Sequence, residues 1–531
     1  MGEKGKEFEY DSEAKWKKGN EMEMKNKLCN HVLLSHSKII SFYSTEDLSF
    51  SDQSKISIND PTLETLDSRS VTATESTPLL ETEPEEDHGR HGTIVSSVFT
   101  LVSTMIGGGI LSLPFAFQQG GFITTSFILF FVLLASTHGG FLIINSKKYC
   151  QGRIKNVEDV GRIAFGSKGE LLTQIVLIIT LFLCSVAYWI LITDQLQPIF
   201  ILICDANSFW SKKIVVLTIP VLIVFPITLL KSMNALKFTS FLSVICVLFL
   251  AGAIIHQSSM SNLGGLIDDP KNPVKWWPDN LGGFLTSVSI TGLTFSCHFN
   301  ILPMHSELRY QTRSNKRIIL YTAMAITYTL NVLVSFFGYM QFRQLIDQDI
   351  TKNYPHDSVV LTIGRCALSM TLLLSFPLLV FPCRDVINRL IWKEHSPVLM
   401  SSSVSRTMSY ISNITITGPS HLVWFTETAF LVFVSYVLAY YIPQVAMVWG
   451  FVGAIGTTLT IYILPPAFYL RVRIHPPRPD LKQLAAWGLM IIGFIVLLVC
   501  TYQSVVNVVQ PIPKILPPNK PDNVTVFLHQ S

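Results

Sequence analysis

Ser103-Thr104-Met105-Ile106-Gly107-Gly108-Gly109-Ile110-Leu111-Ser112-Leu113-Pro114 lies inside the first long apolar run of a 531-residue chain and works against it. The apolar neighbours favour a helix, but each of the three glycines costs about 1 kcal/mol of helix propensity relative to Ala. Pro114, within two turns, removes a donor from the hydrogen-bond ladder. The helix is expected to unwind here, leaving amides without partners inside the helix. In a bilayer such amides are tolerated only where they face a cavity or a ligand.

Working outward, eleven apolar stretches follow Gly92, at about 94–117, 122–145, 171–197, 212–230, 236–257, 281–301, 317–341, 359–381, 420–438, 443–469 and 485–509. About 20 apolar residues carry a helix across the hydrocarbon core. Lipid offers the backbone no other partners, so the spans are helices. The expected fold class is an all-α membrane protein with eleven transmembrane helices. The sixth stretch holds a second break, Thr291-Gly292-Leu293-Thr294-Phe295-Ser296-Cys297-His298-Phe299-Asn300-Ile301-Leu302-Pro303, a polar cluster that ends in proline. Glycines alone would equally serve a close-packing face between helices. Two breaks five spans apart instead predict a 5+5 inverted repeat with discontinuous helices 1 and 6 around a binding site.

Only 14% of the residues are charged, against roughly 25% in soluble domains. A net charge of +4 is too small to suggest nucleic acid as a partner. The cysteines fall mostly inside apolar runs (Cys184, Cys246, Cys297, Cys366, Cys500) and read as free thiols. Residues 1–92 are polar and charged with no apolar periodicity. They are read as a disordered cytosolic tail without a cleavable signal peptide. Residues 93–510 form the expected transmembrane core, and 511–531 a short extracytosolic tail. With the amino terminus cytosolic, the cytosolic loops collect twenty Lys and Arg and the opposite loops six. Asn523 then heads a glycosylation sequon on the far side, while the sequon at Asn413 stays cytosolic and bare. No HExxH, GxSxG, P-loop or paired-carboxylate site occurs in the loops, so an enzyme is not expected. No filter sequence for a channel occurs either.

The chemistry follows from the breaks. Amino ends of half-helices suit a carboxylate, and exposed carbonyls suit an ammonium group or a cation. One molecule with both ends is a free amino acid. The amides of Gly107, Gly108 and Gly109 are expected to take its carboxylate, and carbonyls near Ser103 and Thr294–Ser296 its amine. Thr104 and His298 complete the expected substrate site. Tyr188 and Trp189 are candidate caps of that pocket.

The runs TLVSTMIGGGILSLPFAFQQGG, FSCHFNILPMHSELR and FPLLVFPCRDVINRL resemble the first, sixth and eighth helices of the amino acid/auxin permease superfamily. Within it they are most similar to the sodium-coupled neutral amino acid transporters and the vacuolar amino acid transporters. The resemblance covers about residues 92–510. It implies a LeuT-like fold and amino acid transport driven by sodium or protons, with no other cofactor. In sodium-coupled members an asparagine before the glycine run helps hold the cation; the matching position here is Ser103. The implied cation site is Ser103 and Ile106 with Thr371 or Ser375, sodium lying at Ser103 and Ser375. For protons the titratable candidates are His298, His138, Asp194 and Glu427. Arg365 is expected either to snorkel or to pair with Asp194. Spans 1, 2, 6 and 7 would rock against 3, 4, 5, 8, 9 and 10. In the tail, Glu75, Leu79 and Leu80 resemble an acidic dileucine sorting signal, which implies sorting adaptors and an endolysosomal or vacuolar membrane, with the plasma membrane as alternative. A non-transporting sensor that signals through the tail is the competing function.

Overall fold

The computed structural model describes residues 92–150, 154–205, 207–229, 235–260, 272–354, 359–392, 421–473 and 480–510. Glu75, Leu79, Leu80, Asn413 and Asn523 lie outside the described residues. The described chain is helical almost throughout, its one extended pairing an isolated bridge between Gly92 and Leu308. The helices are α1 (Ile94–Met105), α2 (Gly109–Gly120), α3 (Phe122–Tyr149), α4 (Val157–Cys204), α5 (Lys213–Thr228), α6 (Ala235–Met260) and α7 (Leu281–Leu293). They continue with α8 (His298–Glu307), α9 (Arg313–Phe342), α10 (Val359–Trp392), α11 (His421–Tyr441), α12 (Val445–Phe451), α13 (Leu464–Val472) and α14 (Leu481–Val509). A π-helix, Val452–Ile463, joins α12 to α13.

Helix entries are chosen by short polar residues that satisfy first-turn amides. Thr93 Oγ1 accepts from Ser96 N at 3.1 Å, and Asn280 Oδ1 accepts from Gly283 N at 2.7 Å. Thr312 caps α9 in the same way, and Asp480 caps α14. The 48-residue α4 is too long for one crossing at 1.5 Å per residue. It bends at Gly166, whose φ of 68° only glycine adopts without strain. Arg389 of α10 holds its amino-terminal arm, with ion pairs to Glu158 at 3.7 Å and Asp159 at 3.6 Å.

Eight described helices are long and apolar enough to cross a membrane. The pair α1 and α2, bent by 50°, makes a ninth span. Two of the eleven expected stretches fall short by length alone: Lys213–Thr228 is a shorter apolar helix, and the sixth is split between α7 and α8. The lipid face is clearest on α14, where Ile491, Ile495, Leu498 and Tyr502 stand exposed on one side. An apolar band of that kind is costly in water and suits acyl chains. The largest core cluster runs from α1 through α4, α6, α9 and α10 to α12.

Candidate functional site

The two sequence-predicted breaks are real. α1 ends at Met105 and α2 begins at Gly109; α7 ends at Leu293 and α8 begins at His298. At the first break Ile106 leaves helical geometry with ψ at 57°, its N–H still donating to Val102 O at 2.8 Å. Bonds that restart the chain are long, Ile110 N to Gly107 O at 3.4 Å and Leu111 N to Gly108 O at 3.3 Å. Large side chains close in around the glycines. A Cβ on Gly107 would run into Tyr188 Oη, and one on Gly108 into Leu191 Cδ1 and the Trp449 ring. Tyr188 thus packs directly against the first break. Trp189 does not: its Nε1 donates to Ser435 Oγ at 3.0 Å and its ring packs on Phe376.

The second break is polar. Ser296 N donates to Leu293 O at 3.0 Å, and Thr294 Oγ1 turns back onto Thr291 O at 2.8 Å. Ser136 Oγ donates to the freed carbonyl of Phe295 at 3.0 Å. His298 Nε2 lies 3.0 Å from Ser136 O, which can only accept, so the ring carries its proton on Nε2. Its Nδ1 is buried without a partner. The breaks face each other. A Cβ on Gly109 would sit 3.5 Å from Thr294 Cγ2, and Asn300 Nδ2 of α8 donates to Thr104 Oγ1 of α1 at 3.2 Å.

Beside the first break lies a buried hydroxyl cluster. Ser103 Oγ is 3.4 Å from Ser375 Oγ, and Ser375 Oγ is 3.0 Å from Ser243 Oγ. Thr371 Oγ1 donates to the Ser243 carbonyl at 3.3 Å. Ser103, Thr371 and Ser375, expected together, are together, and Ile106, in the chain just after Ser103, is buried. Ser243 on α6 was not foreseen, because an isolated serine in an apolar run carries no motif. The set offers uncharged, hard oxygen donors, which fits a small cation.

The other ionisable candidates lie elsewhere. His138 Nε2 on α3 has no hydrogen-bond partner, and Glu427 of α11 sits near Arg384 and Asn388 of α10. Arg365 neither snorkels nor pairs with Asp194. It is buried and donates to the carbonyls of Thr351 (2.9 Å) and Tyr354 (3.1 Å). Asp194 pairs with Lys352 at 2.7 Å. Both contacts belong to a loop, residues 343–354, whose buried Asp349 accepts from Gln195 at 2.5 Å and from Thr351 N at 2.9 Å. Gln118 of α2 donates to Gln344 O in the same loop, and Arg343 donates to Asn272 O ahead of α7.

The family model described as "Transmembrane amino acid transporter protein" matches residues 90–507. Sodium-coupled neutral amino acid symporter 2 of Danio rerio is 24% identical over 426 residues, covering 76% of this chain and 80% of the relative. Vacuolar amino acid transporter 5 of Schizosaccharomyces pombe is 23% identical over 437 residues, covering 79% of this chain and 96% of the relative. The crystal structure of MhsT in complex with L-phenylalanine superposes with a TM-score of 0.51 at 12% identity, covering 78% of this chain and 99% of MhsT. That likeness is one of fold, the LeuT-like arrangement that the family resemblance implied.

Proposed function

The chain belongs to the transmembrane amino acid transporter family, and on that premise we propose that it is a secondary active transporter of small neutral amino acids, coupled to sodium or protons, working by alternating access. The observation that carries this reading is the meeting of the two breaks through Asn300 and Thr104. The amino ends of α2 and α8 supply positive potential for a carboxylate. The carboxyl ends of α1 and α7 supply carbonyl oxygens for an ammonium group. These four ends meet in a buried place, where such partial charges are weakly screened. Ser103, Ser243, Thr371 and Ser375 are the residues that would hold a sodium ion. His298, with an unpartnered Nδ1, is the group that would take a proton. The bias of Lys and Arg among the loops supports a cytosolic amino terminus, and one of the relatives carries a vacuolar name.

Uptake of a set of labelled amino acids into proteoliposomes holding the purified full chain, under an imposed sodium or proton gradient, tests the reading. Sodium-driven uptake that Ser375→Ala abolishes assigns the hydroxyl cluster as the cation site. Proton-driven uptake that His298→Gln abolishes assigns the histidine. A protein that binds amino acids and moves none under either gradient overturns the transport reading and leaves a sensor.

A further inference from the structure

The tenth span departs from α-helical geometry over twelve residues, Val452–Ile463. A π stretch of that length is rare, and π segments concentrate at functional sites. Here close packing accompanies the wider coil. A Cβ on Gly453 would run into the carbonyl oxygen of Ser289, so only glycine lets the segment approach α7 this closely. Thr458 Oγ1 donates to Gly453 O at 3.1 Å, five residues back, and Thr460 Oγ1 donates to Gly456 O at 2.8 Å. Five residues apart on an α-helix, Thr457 and Tyr462 would point about 140° from each other. The i→i+5 repeat brings them to one face. Both adjoin Gly292, just before the second break: a Cβ there would lie 3.7 Å from Tyr462 Oη and 3.9 Å from Thr457 Cγ2.

Thr457 Oγ1 and Tyr462 Oη are buried without a hydrogen-bond partner, as is Thr291 Oγ1 next to Gly292. Trp449 Nε1, further along the same span and against Gly108, is also buried and unpartnered. Native proteins rarely leave such groups unsatisfied, and a cluster of them marks a place where something else supplies the bonds. We propose that Thr291, Thr457 and Tyr462 form the subsite for the substrate side chain and take a neutral side chain bearing a hydroxyl or a carboxamide. The inference rests on the amino acid site proposed above. Hydroxyls both donate and accept, as do substrate hydroxyls and carboxamides. An aliphatic side chain of the same shape leaves all three groups orphaned. A charged one is buried without a counter-charge on any of the three.

Threonine and valine share a shape and differ by one hydroxyl, so their ratio reads the subsite directly. In proteoliposomes holding the full chain, threonine is expected to exceed valine in kcat/KM by about tenfold or more, as one well-made hydrogen bond to a buried hydroxyl implies. Tyr462→Phe and Thr457→Val are each expected to bring the ratio toward one by lowering threonine uptake more than valine uptake. The same pair of amino acids is compared by thermal stabilisation of the detergent-solubilised protein. Valine moved as well as threonine by the unmodified chain overturns the subsite, as does an unchanged ratio in both variants. Threonine-selective stabilisation without uptake overturns the transport reading and supports the subsite.

Discussion

The first and sixth spans break at matching positions, but the two breaks are built from opposite materials. Gly107–Gly109 has no side chains of its own, and Tyr188, Leu191 and Trp449 press against it from the third and tenth spans. Thr294–His298 carries its own polar groups and bonds to Ser136, while Thr457 and Tyr462 adjoin Gly292 just before it. The repeat therefore duplicates geometry and not chemistry. A backbone break walled by large aromatic and aliphatic side chains is suited to what every amino acid shares, the carboxylate and the amine. A break lined by hydroxyls and an imidazole can tell one side chain from another. On the function proposed above, selectivity falls to the sixth span and its tenth-span neighbour, and general affinity to the first.

The hardest blow to this division is a bulky residue in the glycine run. Gly108→Leu places a branched side chain where Leu191 and Trp449 already stand. Overpacking of this kind costs about 1–3 kcal/mol, or up to about a hundredfold in rate if borne by the transporting states. Uptake of every amino acid is expected to fall together to about a hundredth, with membrane insertion kept. A variant that loses one substrate and spares another breaks the comparison, since the first break would then discriminate side chains.

A milder change probes the bond between the breaks. Asn300→Ala removes the donor to Thr104 Oγ1, whose hydroxyl keeps its own bond to Thr100 O. One lost buried hydrogen bond is worth about 0.5–1.5 kcal/mol. Apparent affinity is expected to weaken by up to about tenfold for threonine and valine alike, leaving their ratio intact. A ratio that moves places Asn300 in the side-chain subsite and redraws the border between the two regions.

The breaks were legible in the sequence because their cause is local: three glycines and a proline in one span, a polar run ending in proline in the other. Ser103, Thr371 and Ser375 were legible through resemblance, although a serine stands where sodium-coupled members carry asparagine. Ser243 was not, since its role comes only from α6 lying against α10. The π segment was equally hidden, because Gly453 and Gly456 read in one dimension as ordinary small residues of a membrane helix. Their meaning is a distance to Ser289 and Thr180. Arg365 shows the same limit from the other side. Its choice of backbone carbonyls over Asp194 depends on a loop whose fold no periodicity announces.

That loop yields the smallest expected effect, and one that acts on both breaks alike. Residues 343–354 tie α2, through Gln118, and the approach to α7, through Asn272, to the third and eighth spans. Burial pushes the Asp349 carboxyl up to about 6, against the pull of Lys352 and the hydrogen bonds from Thr351; Asp194 adds to the rise. Asp347, which faces Lys352, and Arg365 are the remaining charged groups around it. A carboxyl whose value is raised in the packed loop binds its proton more tightly there than when released. The loop's stability is therefore complete below the ordinary carboxylate range and is lost as pH rises through about 6. Hydrogen-exchange protection of the 346–354 amides, corrected for intrinsic rate, is expected to fall between pH 5 and pH 7.5, as set by that titration. Asp349→Asn is expected to flatten the profile while the substrate ratio stays put. Protection that rises with pH means the carboxylate is stabilised by Lys352 more than burial opposes it, and the loop then holds both breaks more firmly at neutral pH than in an acidic compartment.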